Sequence, residues 1–127
     1  MSRVLVDSSI WIDYFREGQY DQLDQLIERD LVVTNDIILT ELLPSLNMVN
    51  AKDAIDGLLS IPRIPLLIDW DIIRRYQLLN LQNGINKVGI PDLIILEQVI
   101  AEQLSLFSRD KHFDLMRQHL EFKQFES

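Results

Sequence analysis

The chain has 127 residues, 47% of them hydrophobic, and sets 20 acidic against 12 basic residues for a formal charge of −8. That length is enough to bury about two thirds of the unfolded surface in one core, so residues 1–127 are read as a single domain. The lack of cysteine excludes disulfides, thiolate catalysis and cysteine zinc sites, and the acidic balance argues against non-specific nucleic-acid binding, which relies on dense positive charge.

The first predicted element is the apolar run Arg3 to Val6, which ends at Asp7. From Ser8 to about Arg16 the spacing of Ile10, Trp11, Tyr14 and Phe15 is helical, and Asp21 to Arg29 repeats it with Leu23, Leu26 and Ile27. Leu31 to Val33 predicts a second strand. It is followed by the helix "DIILTELLPSL", which Asn35 or Asp36 can cap, and by another helix at about Ala51 to Leu59. "RIPLLI" predicts a third strand near Pro65 to Ile68, and Asp69 to about Asn83 a helix. "NGINKVGIP" is a loop by its glycines and proline, and Pro91 suits the first turn of a helix running to about Gln103. "SLF" is a fourth strand, Lys111 to about His119 a last helix and "EFKQF" an edge strand.

Short apolar strands separated by helices predict a three-layer α/β/α sandwich around a mainly parallel sheet. No apolar run approaches the ~18 residues of a membrane helix, and the few before Asp7 are too short for a secretory leader. The expectation is a soluble, unprocessed, cytoplasmic protein that does not enter a membrane.

In open sheets of this kind ligands bind beyond the carboxyl ends of the strands. Asp7 and Asp110 stand at such ends, Asp92 follows the glycine-containing loop, and Glu41 lies one to two turns into its helix, so all four acids can converge on one edge. Taken singly, Asp7, Asp92 and Asp110 are explained as helix caps, because an Asp there accepts from free backbone N–H groups and favours the positive end of the helix dipole. Glu41 is not: it sits beside the apolar stripe of Ile37 and Ile38, too deep in the helix to cap it.

If the four meet, their charges must be compensated. Two like charges ~4 Å apart repel by about 4 kcal/mol at an effective dielectric of ~20, so some carboxylates would take up protons unless a cation sat among them. Mg²⁺ or Mn²⁺, which prefer oxygen ligands and bridge carboxylates to phosphate, resolve the conflict. Zinc fits less well, since nitrogen comes only from His112 and His119, both read as surface residues of the last helix.

The set "VLVDSSIWIDYF", "TNDIILTELL", "GIPDLIILEQVIAEQ" and "LFSRDKHFDLM" resembles the PIN-domain ribonucleases, and particularly the VapC toxins of toxin–antitoxin pairs, over essentially the whole chain. The resemblance implies a metal-dependent endoribonuclease in which Asp7, Glu41, Asp92 and Asp110 hold Mg²⁺ or Mn²⁺ and an activated water attacks the scissile phosphate. It assigns supporting roles to Ser8, the hydroxyl after the first Asp, and to Ser108, two before the last. Many relatives carry a further acid two residues after that last Asp, where this chain has His112. Arg16, Lys87, Arg109 and Lys111 flank the site in sequence and are candidate RNA contacts.

The weak overall attraction for phosphate suits a selective nuclease acting on a folded RNA such as tRNA or rRNA. The resemblance also implies a small cognate antitoxin and a homodimer, either of which residues 42–59 are apolar enough to serve. Two other readings stay open. One is a catalytically inactive module that grips a basic peptide or protein through the acidic edge, which would show no cleavage with Mg²⁺, Mn²⁺ or EDTA. The other is a receiver-like phosphoryl-transfer domain, which would want paired acids after the first strand. The glycines form no phosphate loop.

Overall fold

A computed structural model describes residues 2–126. Four parallel strands form the sheet, β1 (Val4–Val6), β2 (Val32–Val33), β3 (Ser105–Phe107) and β4 (Lys123–Gln124), in the order β2-β1-β3-β4. Leu5 is in register with Val33 on one side and Leu106 on the other. Successive strand residues point to opposite faces, and Val4, Leu5 and Val6 are all buried, so both faces of the sheet centre are covered.

Among the described residues seven helices do the covering: α1 (Ser8–Glu17), α2 (Asp21–Glu28), α3 (Asp36–Met48), α4 (Lys52–Ser60), α5 (Trp70–Gln82), α6 (Ile90–Ala101) and α7 (Lys111–Met116). This is the expected sandwich with a parallel sheet. No described helix is long and apolar enough to cross a membrane.

The predicted third strand does not form. Arg63 makes a single parallel bridge to Thr34, with Thr34 N–H donating to the Pro62 carbonyl (2.9 Å) and Ile64 N–H to the Thr34 carbonyl (2.8 Å). The next residue, Pro65, has no N–H to extend a ladder, and residues 65–68 leave the sheet with Leu67 80% exposed. The carbonyls of Ile64 and Pro65 are satisfied instead by the Gln98 side-chain amide, at 3.4 and 3.1 Å.

Gln98 belongs to a buried polar relay that sets α3 against α6. Asn35 caps α3 by accepting from Ile38 N–H (3.0 Å), while its own amide donates to Gln98 Oε1 (2.8 Å). Both residues are buried. Glu41 lies on α3 and Asp92 on α6, so this relay fixes the spacing of two candidate acids. Asn35→Ala is expected to cost about 2–4 kcal/mol, from a lost cap and a buried Gln98 oxygen left without a donor. Urea denaturation checks this; a stability change below about 0.5 kcal/mol, the range of ordinary surface substitutions, would rule the relay out as a fastener.

Candidate active site

The β1–β3 pairing carries on past the strands, with Asp7 N–H donating to the Phe107 carbonyl at 2.9 Å. That bond places Asp7 beside Ser108 at the carboxyl edge of the sheet. Asp7 occupies the N-cap position of α1, yet its side chain makes no capping bond, so the cap explanation fails for it. Instead Asp7 Oδ2 accepts from Ser108 Oγ (2.7 Å) and Ser9 Oγ (3.1 Å).

Each serine oxygen in turn accepts a backbone N–H, Ser9 from Arg109 and Ser108 from Asp110, both at 3.0 Å. A hydroxyl has one proton, so both are committed to Asp7 Oδ2, and the carboxylate is locked with Oδ1 making no hydrogen bond among the described residues. Asp7 is 5% exposed. The supporting role expected of Ser108 is thus an orienting one toward Asp7. Among the described residues Ser8 makes no such bond to Asp7; it lies near enough to Glu41 to lower that acid's pKa. Ser9 was not singled out from the sequence, although its position two residues after an Asp that opens a helix is a known spacing for local side-chain bonding.

The other acids gather on this edge. Asp110 does cap its helix, Oδ1 accepting from His112 N–H at 2.9 Å. Asp92, in the first turn of α6, is pushed up to about 6 by burial first, then by the charges of Asp110 and Asp7, with His112 opposing. Glu41 is raised as well, by burial, then Asp7 and Asp92, with Ser8 opposing and Asp110 adding to it. Glu41 thus feels the charges of the other three acids, and of the four it is the one most open to solvent.

Two histidine expectations are corrected. His112 is not a bystander on the surface: it is half-buried, its Nδ1 lies 3.3 Å from Asp110 Oδ1, and Asp92, Asp110 and His112 offer ligand atoms all within 4.8 Å of one another. His119 lies beyond the end of α7, where its Nε2 is 2.8 Å from Oδ1 of the fully buried Asn80. Of the four candidate RNA contacts, Arg109 is already engaged, paired with Asp13 at 3.0 Å and stacked over Tyr20 at 5.8 Å. Arg16, Lys87 and Lys111 are exposed.

An acidic donor set whose oxygens come from two helices, a helix cap and a strand end fits a hard divalent cation. Residues 4–118 match the model of the PIN domain. The chain belongs to the PIN-domain family.

Solved structures with a similar fold include VapBC2 from Rickettsia felis bound to a DNA fragment from their promoter, at 17% identity and a TM-score of 0.72, covering 88% of this chain and 91% of that one. VapBC-5 of Mycobacterium tuberculosis, a member of the VapBC family of toxin–antitoxin systems, matches at 18% identity and a TM-score of 0.70 over 98% and 100% of the two chains. VapC20 of the same organism, a sarcin–ricin loop cleaving toxin, matches at 13% and 0.60 over 88% and 93%. No curated protein sequence matches the chain. In this PIN domain a concavity of about 260 Å³ next to Ser108 is lined by Tyr20, Arg109 and Asp114 among others, and by none of the four acids.

Proposed function

We propose that this PIN domain is a metal-dependent endoribonuclease, the toxin of a toxin–antitoxin pair, and that it hydrolyses phosphodiester bonds of a structured RNA such as tRNA or rRNA. One observation carries the reading: Asp92, Asp110 and His112 present ligand atoms within 4.8 Å of one another, with Asp7 joined through Ser108 to the Asp110 backbone, a crowding of carboxylates that a proton or a cation relieves. Asp7, Glu41, Asp92 and Asp110 would hold Mg²⁺ or Mn²⁺, which when bound would supply Lewis acidity toward the phosphate and lower the pKa of an attacking water.

The chain's own contribution is to hold the acids still. Ser9 and Ser108 fix Asp7, and the helix-capping bond fixes Asp110. Preorganised ligands of this kind need not reorganise when the substrate arrives. Arg16, Lys87 and Lys111 are the cations free to meet RNA phosphates, and the open edge admits a polymer. That a protein of this fold is described as cleaving the sarcin–ricin loop supports a structured RNA as substrate.

For partners, the α3–α4 tip leaves Met48 84% and Val49 72% exposed, an apolar surface suited to a small antitoxin or to a second copy of the chain. Work in the cytoplasm, where folded RNA is met, is part of the same proposal. Incubating the protein with a mixture of tRNA and rRNA and sequencing the new ends tests the function. A small set of cut sites is expected with Mg²⁺ or Mn²⁺ and none with EDTA. No new ends with either ion, or the same ends in EDTA, would refute it.

A further inference from the structure

Resting on the cation site just proposed, we infer that His112 is itself a ligand and that it tunes the site toward Mn²⁺ and away from Mg²⁺. Three features of its placement carry this. His112 follows Asp110 by two residues across the start of α7, so the bond from its N–H to Asp110 Oδ1 ties the backbone that bears the imidazole to the acid beside it. Nδ1 stands 3.3 Å from that same oxygen. The donor atoms of Asp92, Asp110 and His112 all fall within 4.8 Å of one another.

These separations are those of ligands around one ion. Octahedral coordination at about 2.1 Å sets neighbouring donors about 3 Å apart and opposite donors about 4.2 Å apart. The spacing found here needs only a small contraction to match. In the metal-free protein Nδ1 can carry the proton and donate it to Asp110; binding an ion requires the other tautomer, with the proton on Nε2 and the Nδ1 lone pair free.

Chemistry then separates the two ions. Mg²⁺ is satisfied by oxygen and gains little from imidazole, whereas affinity for nitrogen donors rises along the first-row transition series from Mn²⁺ onward. One nitrogen among carboxylates does not turn the site into a zinc centre, but it gives a transition ion an advantage that an all-oxygen set would not.

The test is Mn²⁺ binding followed by pulsed electron paramagnetic resonance, which detects nitrogen coupled to the bound ion, together with calorimetric titration of Mn²⁺ and Mg²⁺. The chain has two histidines, and His119 is held by Asn80, so a coupled imidazole is assigned by one substitution. Imidazole coupling is expected in the wild type and lost in His112→Asp, whose Mg²⁺-to-Mn²⁺ ratio of dissociation constants should fall at least the ~10-fold that even a ligand's outer partners carry. His112→Phe, which removes the donor without adding an oxygen, should lower the same ratio.

Mn²⁺ bound without nitrogen coupling, or a ratio unchanged in both variants, would overturn the role of His112 alone, provided that Asp92→Asn still abolishes binding. If Mn²⁺ binds neither the wild type nor any variant, or binds Asp92→Asn as tightly as the wild type, the acidic site fails and the inference fails with it.

Discussion

Asp7→Asn is expected to lower the rate of RNA cleavage by about 10²-fold or more, the scale on which losing one preorganised electrostatic group acts, while leaving the protein folded. The hydrogen bonds dictate why. Ser9 and Ser108 both donate to Oδ2, so the amide of the variant must turn its oxygen toward them and place its NH₂ where Oδ1 had been. A donor then faces the cation position in place of an anion. The two serine bonds lose the strength of a charged acceptor, about 1 kcal/mol, and the pocket loses one repelling charge, so the two changes offset. Cleavage assays beside a thermal melt check both halves; a variant that melts within a few degrees of the wild type and cuts RNA as fast would remove Asp7 from the chemistry.

Asp92→Asn should have effects of opposite sign on stability and on ion binding. A carboxyl raised from 3.8 to about 6 contributes stability that is complete below its unfolded value and is lost as pH rises through about 6. At pH 7.5 without metal, Asp92 is therefore an ionised group that the fold disfavours. At ~1.4 kcal/mol per unit, reduced for its partial contact with water, the burden is about 1–3 kcal/mol.

Replacing it with the neutral isostere should raise the melting temperature of the metal-free protein by roughly 4–10 °C at that pH, since ~1 kcal/mol is worth about 4 °C in a domain of this size. The gain should shrink toward zero by pH 4, where the wild-type acid is protonated as well. Addition of Mn²⁺ reverses the order, because an ion that binds only the native wild type stabilises it by mass action and gives the variant nothing. Melts across pH with EDTA and with Mn²⁺ measure all of this, and a variant less stable than the wild type in EDTA at pH 7.5 would show that the acids do not repel one another there.

Much of the site was legible because the topology is simple. Parallel strands put all their carboxyl ends on one edge, so an acid just after an apolar run, as at Asp7 and Asp110, has a known location before any coordinates. Glu41 was visible as a charge too deep in its helix to cap it, and the structure leaves it open to solvent at the margin of the core. What the sequence concealed depended on side-chain direction. Asp7 looks like a helix cap, and only the hydroxyl geometry shows its carboxylate turned toward Ser9 and Ser108.

His112 reads as an exposed residue of a short helix, until the Asp110 capping bond sets the local turn and brings Nδ1 over the acids. The third strand was lost to a similar subtlety. "RIPLLI" has the apolar character of a strand, but Pro65 cannot donate, and the Gln98 side chain takes the carbonyls that a neighbouring strand would have used.

Crystals grown in Mn²⁺ and measured for its anomalous scattering test most directly whether these carboxylates share a cation. The account predicts a single strong peak, or two close together, within about 2.3 Å of oxygens from Asp7, Asp92 and Asp110, and Glu41 bound directly or through water. Carboxylates that stay where they are with no peak among them, at saturating Mn²⁺ and neutral pH, would contradict it.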